Sequence, residues 1–176
     1  MAVTLLPYDD GDFPVLQAAN SPEMTRFLGG PETPEAVEQR HAKYLRLNSE
    51  GDARMFRIAT DEHPAVGIIG WWESEWHDQK VQEVGWSVLS EFQGRGYGTE
   101  ALRALTRDAA ERGTRALLVA NPRTDSTGSN AVCERSGFSF QGEEDDEYPP
   151  GNPIRTNVWT FDLGALREAR RQGYVT

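Results

Sequence analysis

Gln93-Gly94-Arg95-Gly96-Tyr97-Gly98-Thr99 is the stretch on which the fold of this chain turns. Three glycines within five positions let a backbone bend sharply and come close to a ligand. Before it, Glu83, Gly85 and Ser87 alternate with Val84, Trp86 and Val88, which predicts a strand over Val81 to Leu89 with one polar and one apolar face. After it, Ala101, Leu102, Leu105 and Ala109 recur at helical spacing from Thr99 until Gly113 stops the helix. A glycine turn that opens a helix leaves the first-turn amides without partners. Together with the helix dipole they make a site suited to phosphate. Two phosphate motifs are excluded at once. A Walker A loop needs Lys before its Ser or Thr, and Gly98-Thr99 has none. A dinucleotide fingerprint needs glycine where Thr99 stands and an acidic residue at the end of the next strand.

Outward from this unit, the chain mixes strands and helices. Val3 to Leu6 reads as a first strand, and Asp12 to Ala19 and Pro22 to Leu28 read as short helical pieces stopped by Gly29-Gly30-Pro31. Thr33 reads as an N-cap with Pro34 at the first helical position, and Val37, His41, Tyr44 and Leu45 carry that helix to Gly51. Strands follow at Arg54 to Thr60 and, across the turn Asp61-Glu62-His63-Pro64, at Ala65 to Trp72. The short apolar run Ala116 to Ala120 predicts a strand buried on both faces. A helix over Ser129 to Ser136 ends at Gly137, and strands near Phe138 to Gln141 and Arg155 to Leu163 close the fold. The acidic run Glu143 to Glu147 with Pro149-Pro150-Gly151 reads as a solvated hairpin loop.

The chain has 176 residues, and no repeat or linker divides it, so one domain over 1–176 is expected. A lone cysteine, Cys133, makes no internal disulfide, and three scattered histidines give no metal pattern. No secretory or membrane-spanning segment is visible, so a cytoplasmic protein is expected. The net charge of −10 argues against nucleic acid as a partner and favours cationic ones, whereas backbone amides let an acidic chain hold an anionic ligand.

These residues together resemble the GNAT superfamily of acyl-coenzyme A dependent N-acetyltransferases. The family's Gln/Arg-x-x-Gly-x-Gly/Ala turn is matched by Gln93, Gly96 and Gly98. Glu83 to Leu89 is similar to its fourth strand. Asn121-Pro122 and Ser129 to Phe138 are similar to its fifth strand, coenzyme-contacting helix and closing Gly-Phe. The region around Pro22 to Phe27 is similar to the branch that acetylates N-termini of ribosomal proteins. The resemblance implies an α/β (α+β) domain with a mixed, mostly antiparallel sheet, helices on both faces and a V-shaped cleft for acetyl-CoA. It also implies transfer of an acetyl group to a primary amine, on a protein N-terminus or a small molecule, with no metal. The family's habit of pairing through the last strands implies a homodimer.

By the same resemblance, amides at Ser87, Val88 and Leu89 meet the pantetheine arm and acyl group. Those of Gln93, Gly94, Arg95, Gly96, Tyr97, Gly98 and Thr99 meet the pyrophosphate. Ser126, Ser129 and Asn130 are candidates for coenzyme contact, the last two equally for helix capping. Arg95 adds charge there or is simply solvated. An alkylamine near pKa 10 is protonated at neutral pH, so a carboxylate must take its proton. Glu83 is the candidate base, the alternative being a strand glutamate facing solvent. Many relatives carry a Tyr four residues before the Gly of Gly-Phe, where this chain has Cys133. That thiol is either the general acid or a small buried hydrophobe. The missing Tyr leaves a second function open, a non-catalytic coenzyme-binding or regulatory domain. Of the aromatic cluster Trp71, Trp72, Trp76 and His77, one of the first two is expected to pack and Trp76 to reach the acceptor cleft. Met24, Arg26 and Phe27 are candidates for the opposite wall. Glu143 to Glu147 is expected to steer a cationic amine.

Overall fold

The computed structural model describes residues 2–51 and 53–174. Its strands are β1 (Val3–Pro7), β2 (Ala53–Thr60), β3 (Gly67–Trp76), β4 (Gln79–Val88), β5 (Leu117–Ala120), β6 (Ser139–Glu147) and β7 (Pro153–Asp162). The helices are α1 (Phe13–Ala18), α2 (Pro34–Glu50), α3 (Tyr97–Arg112), α4 (Thr127–Arg135) and α5 (Leu163–Arg171). The strands form one sheet in the order β1-β2-β3-β4-β5-β7-β6, antiparallel throughout except where β4 runs parallel to β5. Among the described residues no helix is long and apolar enough to cross a membrane.

Strand alternation sorts the core into two layers. Phe56, Ile58, Ile69, Trp71, Val84 and Val88 face α3, whose Ala101, Leu102, Leu105 and Ala109 are fully buried. Met55 and Ile68 point the other way, toward Val15 and Leu16 of α1 and Val37 of α2. Glu83, Gly85 and Ser87 share this second face with Trp72. The polar side of β4 is therefore roofed by α1, α2 and their connection.

Three expectations change. Pro22 to Leu28 forms a succession of turns, because the Ser21 hydroxyl accepts from Met24 N–H and the Thr25 hydroxyl donates to Ser21 C=O, offering the backbone an alternative to a helix. The acidic run Glu143 to Glu147 belongs to β6, a sheet-edge strand, and is no loop. Charge on an edge strand discourages pairing with another chain. Finally, α5 follows β7 and is stitched to α3 by Arg167, whose guanidinium donates to the carbonyls of Ala110 (2.7 Å), Gly113 (3.0 Å) and Arg115 (2.7 Å). The β3–β4 connection is a two-residue turn, His77-Asp78, with φ of 49° and 59°, the left-handed pair that a tight hairpin requires.

Candidate active site

The decisive geometry lies where β4 and β5 part. They pair only at Gln82 with Leu118 and Glu83 with Val119, after which β4 continues alone on that side. Glu83 therefore stands at the vertex of the V. It faces Trp72 across the β3–β4 ladder, and the Ser74 hydroxyl donates to its Oε2 at 2.8 Å. Beyond the vertex, the bond from Leu89 N–H to Val66 C=O (2.9 Å) fixes which residues of β4 face β3. Alternation then commits the amides of Gly85 and Ser87 to β3 and directs those of Trp86 and Val88 to the open edge. Of the three amides expected to meet the acyl arm, that of Val88 points to the open edge. Ser87 and Leu89 are engaged within the sheet, and Ser87 reaches the cleft only by lining it. The amide of Trp86, which the sequence did not single out, points to the same open edge.

At the end of the same strand, Gly94 (φ +73°) and Gly96 (φ +86°) adopt left-handed backbone conformations, and Gly96 caps α3 without any side-chain cap. A Cβ built on either glycine meets nothing within 4 Å, so open space borders the start of a 16-residue helix. That is the environment an anionic group needs. Gly98 has a different reason to be glycine, since its Cβ would lie 3.3 Å from Val132 Cγ2 of α4. The turn is tied to β4 by Gln93, whose Nε2 donates to Val88 C=O at 2.9 Å. Arg95 donates to Glu91 C=O (3.1 Å) at the surface, and the Tyr97 side chain is buried in the core, so these two and Thr99 offer the turn their backbone.

Glu83 opens into a cleft of about 670 Å³. One wall is Ser126 and Ser129 with Asn121 and Pro122 after β5, the floor is Val84 to Ser87, and the far wall is Trp72, Tyr44 and Phe27. The α1–α2 connection and the β6–β7 hairpin meet above it, close enough that a Cβ on Gly29 would lie 2.6 Å from Pro149 Cδ. The connection is closed at its base by reciprocal bonds between Asn20 and Glu32 (2.8 and 2.9 Å). Glu32 is then clamped in bidentate fashion by Arg40 of α2, and that bond holds the Glu32 carboxyl below its ordinary range. Neither partner was singled out from sequence, because the pairing depends on a loop whose path the sequence does not state.

The other candidates divide between the cleft and the core. Cys133 is fully buried in the α3 core, and burial pushes its thiol up to about 12, so it packs as a small hydrophobe and is not positioned as a general acid. Asn130 is a structural knot. Its Nδ2 donates to Arg123 C=O and Ser126 C=O (both 2.9 Å), and its Oδ1 accepts from Asn157 (2.8 Å) and Trp159 (2.9 Å). Trp71 packs in the core, Trp72 lines the cleft, and Trp76 instead donates to Glu144 (3.1 Å), which His77 also contacts at 2.8 Å. Phe27 lines the cleft under the Arg26 guanidinium, while Met24 accepts from Gln93. Within the acidic run, Glu143 and Asp145 are paired with Arg155, leaving Asp146 as the member that lines the cleft.

A family model described as an acetyltransferase (GNAT) domain matches residues 2–139. The chain belongs to the GNAT acetyltransferase family. The match ends at the start of β6, yet β6 and β7 complete the same sheet. A ribosomal-protein-serine acetyltransferase of Escherichia coli (strain K12) is 32% identical over 98 residues, which is 56% of this chain and 54% of that protein. The aligned region thus spans about half the length of that curated relative. Among solved structures, RimL, a ribosomal-protein alpha-N acetyltransferase in complex with coenzyme A, superposes with a TM-score of 0.76 at 22% identity, over 94% of this chain and 96% of that one. A spermidine N-acetyltransferase from Vibrio cholerae, in complex with coenzyme A and spermine, superposes at 0.75 with 14% identity, over 92% and 96%. Both likenesses establish the fold, a mixed α/β sheet with helices on both faces.

Proposed function

We propose that this chain transfers an acetyl group from acetyl-CoA to a primary amine by direct attack, with Glu83 as general base. Acetyl-CoA supplies the activated thioester. The observation that carries the reading is a carboxylate at the vertex of a splayed sheet, on the strand that leads into an uncapped, glycine-rich helix start. The first-turn amides of α3 suit a pyrophosphate, and the amides of Trp86 and Val88 suit the arm and the polarised carbonyl, fixed donors being the strongest device for a developing oxyanion. Glu83 accepts a proton from the acceptor ammonium. The amine nitrogen then bonds the carbonyl carbon as the carbon–sulfur bond breaks. Of the two protons the ammonium gives up, one ends on the thiol and one in solvent.

The 32% identical relative supports a protein N-terminus as acceptor. Asp146 at the cleft supports a positively charged one. Mass spectrometry after incubation with acetyl-CoA and a mixed library of peptides and small amines tests this reading. Acetylated amine products with free thiol support it. Coenzyme binding without any acetylated product supports the non-catalytic alternative.

A further inference from the structure

The geometry points to Ser74 as a positioning residue for Glu83. This inference rests on the reading of Glu83 as base. Ser74 lies on β3 opposite Val81, one same-face step from Trp72, which is itself opposite Glu83. Its hydroxyl crosses that diagonal and donates to Glu83 Oε2 at 2.8 Å. Among the described residues this is the bond that fixes the Glu83 carboxylate, and Ser74 is half-buried. A free glutamate side chain has three rotatable bonds and samples many orientations at a strand edge. One donor on Oε2 removes that freedom and leaves the lone pairs of Oε1 to the cleft that Glu83 lines. The base is then preorganised on the two-strand ladder of the β3–β4 hairpin, whose register is set by the turn at His77-Asp78. Glu73 and Glu75, the neighbours of Ser74, point to the opposite face, and Trp76 on the Ser74 face donates to Glu144 instead.

The consequence is specific to the chemical step. Ser74 acts on the orientation of Oε1 and not on the amides that receive the coenzyme. Misplacing a catalytic group by a fraction of its reach costs rate while binding survives. In Ser74→Ala, kcat is expected to fall about tenfold or more, with KM for acetyl-CoA unchanged. Ser74→Thr, which keeps the hydroxyl and suits a strand, is expected to restore most of kcat. Melting temperatures of both variants, measured beside the wild type, show that the folded state is intact. Wild-type kcat in a folded Ser74→Ala, or a loss that Ser74→Thr does not recover although it too is folded, overturns the assignment. Glu83→Gln run in parallel separates the two claims. If Glu83→Gln is inactive while Ser74→Ala is fully active, the base reading stands and the role of Ser74 falls. If Glu83→Gln is itself fully active, the base reading falls and the role of Ser74 falls with it.

Discussion

Replacing Gly96 by alanine separates two effects that the structure puts on one residue. Gly96 sits at φ +86°, and its added Cβ meets no atom within 4 Å, so the destabilisation comes from backbone strain and not from a clash. A left-handed conformation at a residue bearing Cβ costs about 1–2 kcal/mol. For a chain of this size each kcal/mol lowers Tm by about 2–4 °C, giving an expected fall of about 2–8 °C. Gly51, which ends α2 at φ +83° with equally open surroundings, is the matched control, since Gly51→Ala carries the same strain far from the glycine-rich turn. Both variants should therefore melt early by similar amounts. Only Gly96→Ala should weaken acetyl-CoA, because its methyl enters the open space beside the α3 start and its strain disturbs the first turn. Isothermal titration calorimetry should show a loss of about tenfold or more, the equivalent of about one charge-assisted hydrogen bond. Acetyl-CoA affinity equal to wild type in a folded Gly96→Ala, or an equal loss in Gly51→Ala, refutes the assignment of the turn.

Three further outcomes follow from the site. Cys133→Ala removes a thiol from a closed core, so stability should drop by about 1 kcal/mol while kcat holds, as read by urea melts and free-thiol release. A large fall in kcat would return Cys133 to the mechanism. The Glu32 carboxyl is lowered from an ordinary value of 4.5 by its bond from Arg40. Its stabilisation is thus complete above that value and is lost as pH falls through the lowered one. Urea midpoints of the wild type and Glu32→Gln should differ at neutral pH and converge in the acid range. A constant gap contradicts the clamp. Asp146→Asn should raise KM for a cationic acceptor at low salt and leave acetyl-CoA affinity alone, in initial-rate assays over a salt series. An unchanged KM removes Asp146 from acceptor capture.

Much of this architecture was legible because its signals are local. The switch from period two before Leu89 to helical period after Thr99 locates β4, the turn and α3 within a residue or two. Thr33-Pro34 marks the start of α2, whose Thr33 hydroxyl accepts from Ala36 N–H. What escaped depends on register and on distant partners. Placing the hairpin turn at His77-Asp78 forces Ser74 beside Glu83, but two non-glycine residues with positive φ carry a weak turn signal, and the strand was expected to stop at Trp72. The amide of Trp86, and not that of Ser87, points to the open edge for the same reason, since strand alternation tells faces apart while the pairing decides which amides point outward. The amphipathic α5 did carry a signal, in Asp162 as N-cap and Arg170 and Arg171 in its last turn. The polar character of Asn130 suggested ligand contact, yet its four partners come from the loop before α4, the start of α4 and β7, none of them visible in a one-dimensional reading.

The most direct test of the account is turnover by Glu83→Gln alongside its affinity for acetyl-CoA, using an acceptor that the wild type acetylates. Gln keeps the size of the side chain and can still take the Ser74 hydrogen bond, but it does not accept the amine proton. The account predicts a kcat lower by about 10²–10⁴-fold with acetyl-CoA affinity close to wild type. Wild-type turnover in that variant would contradict it.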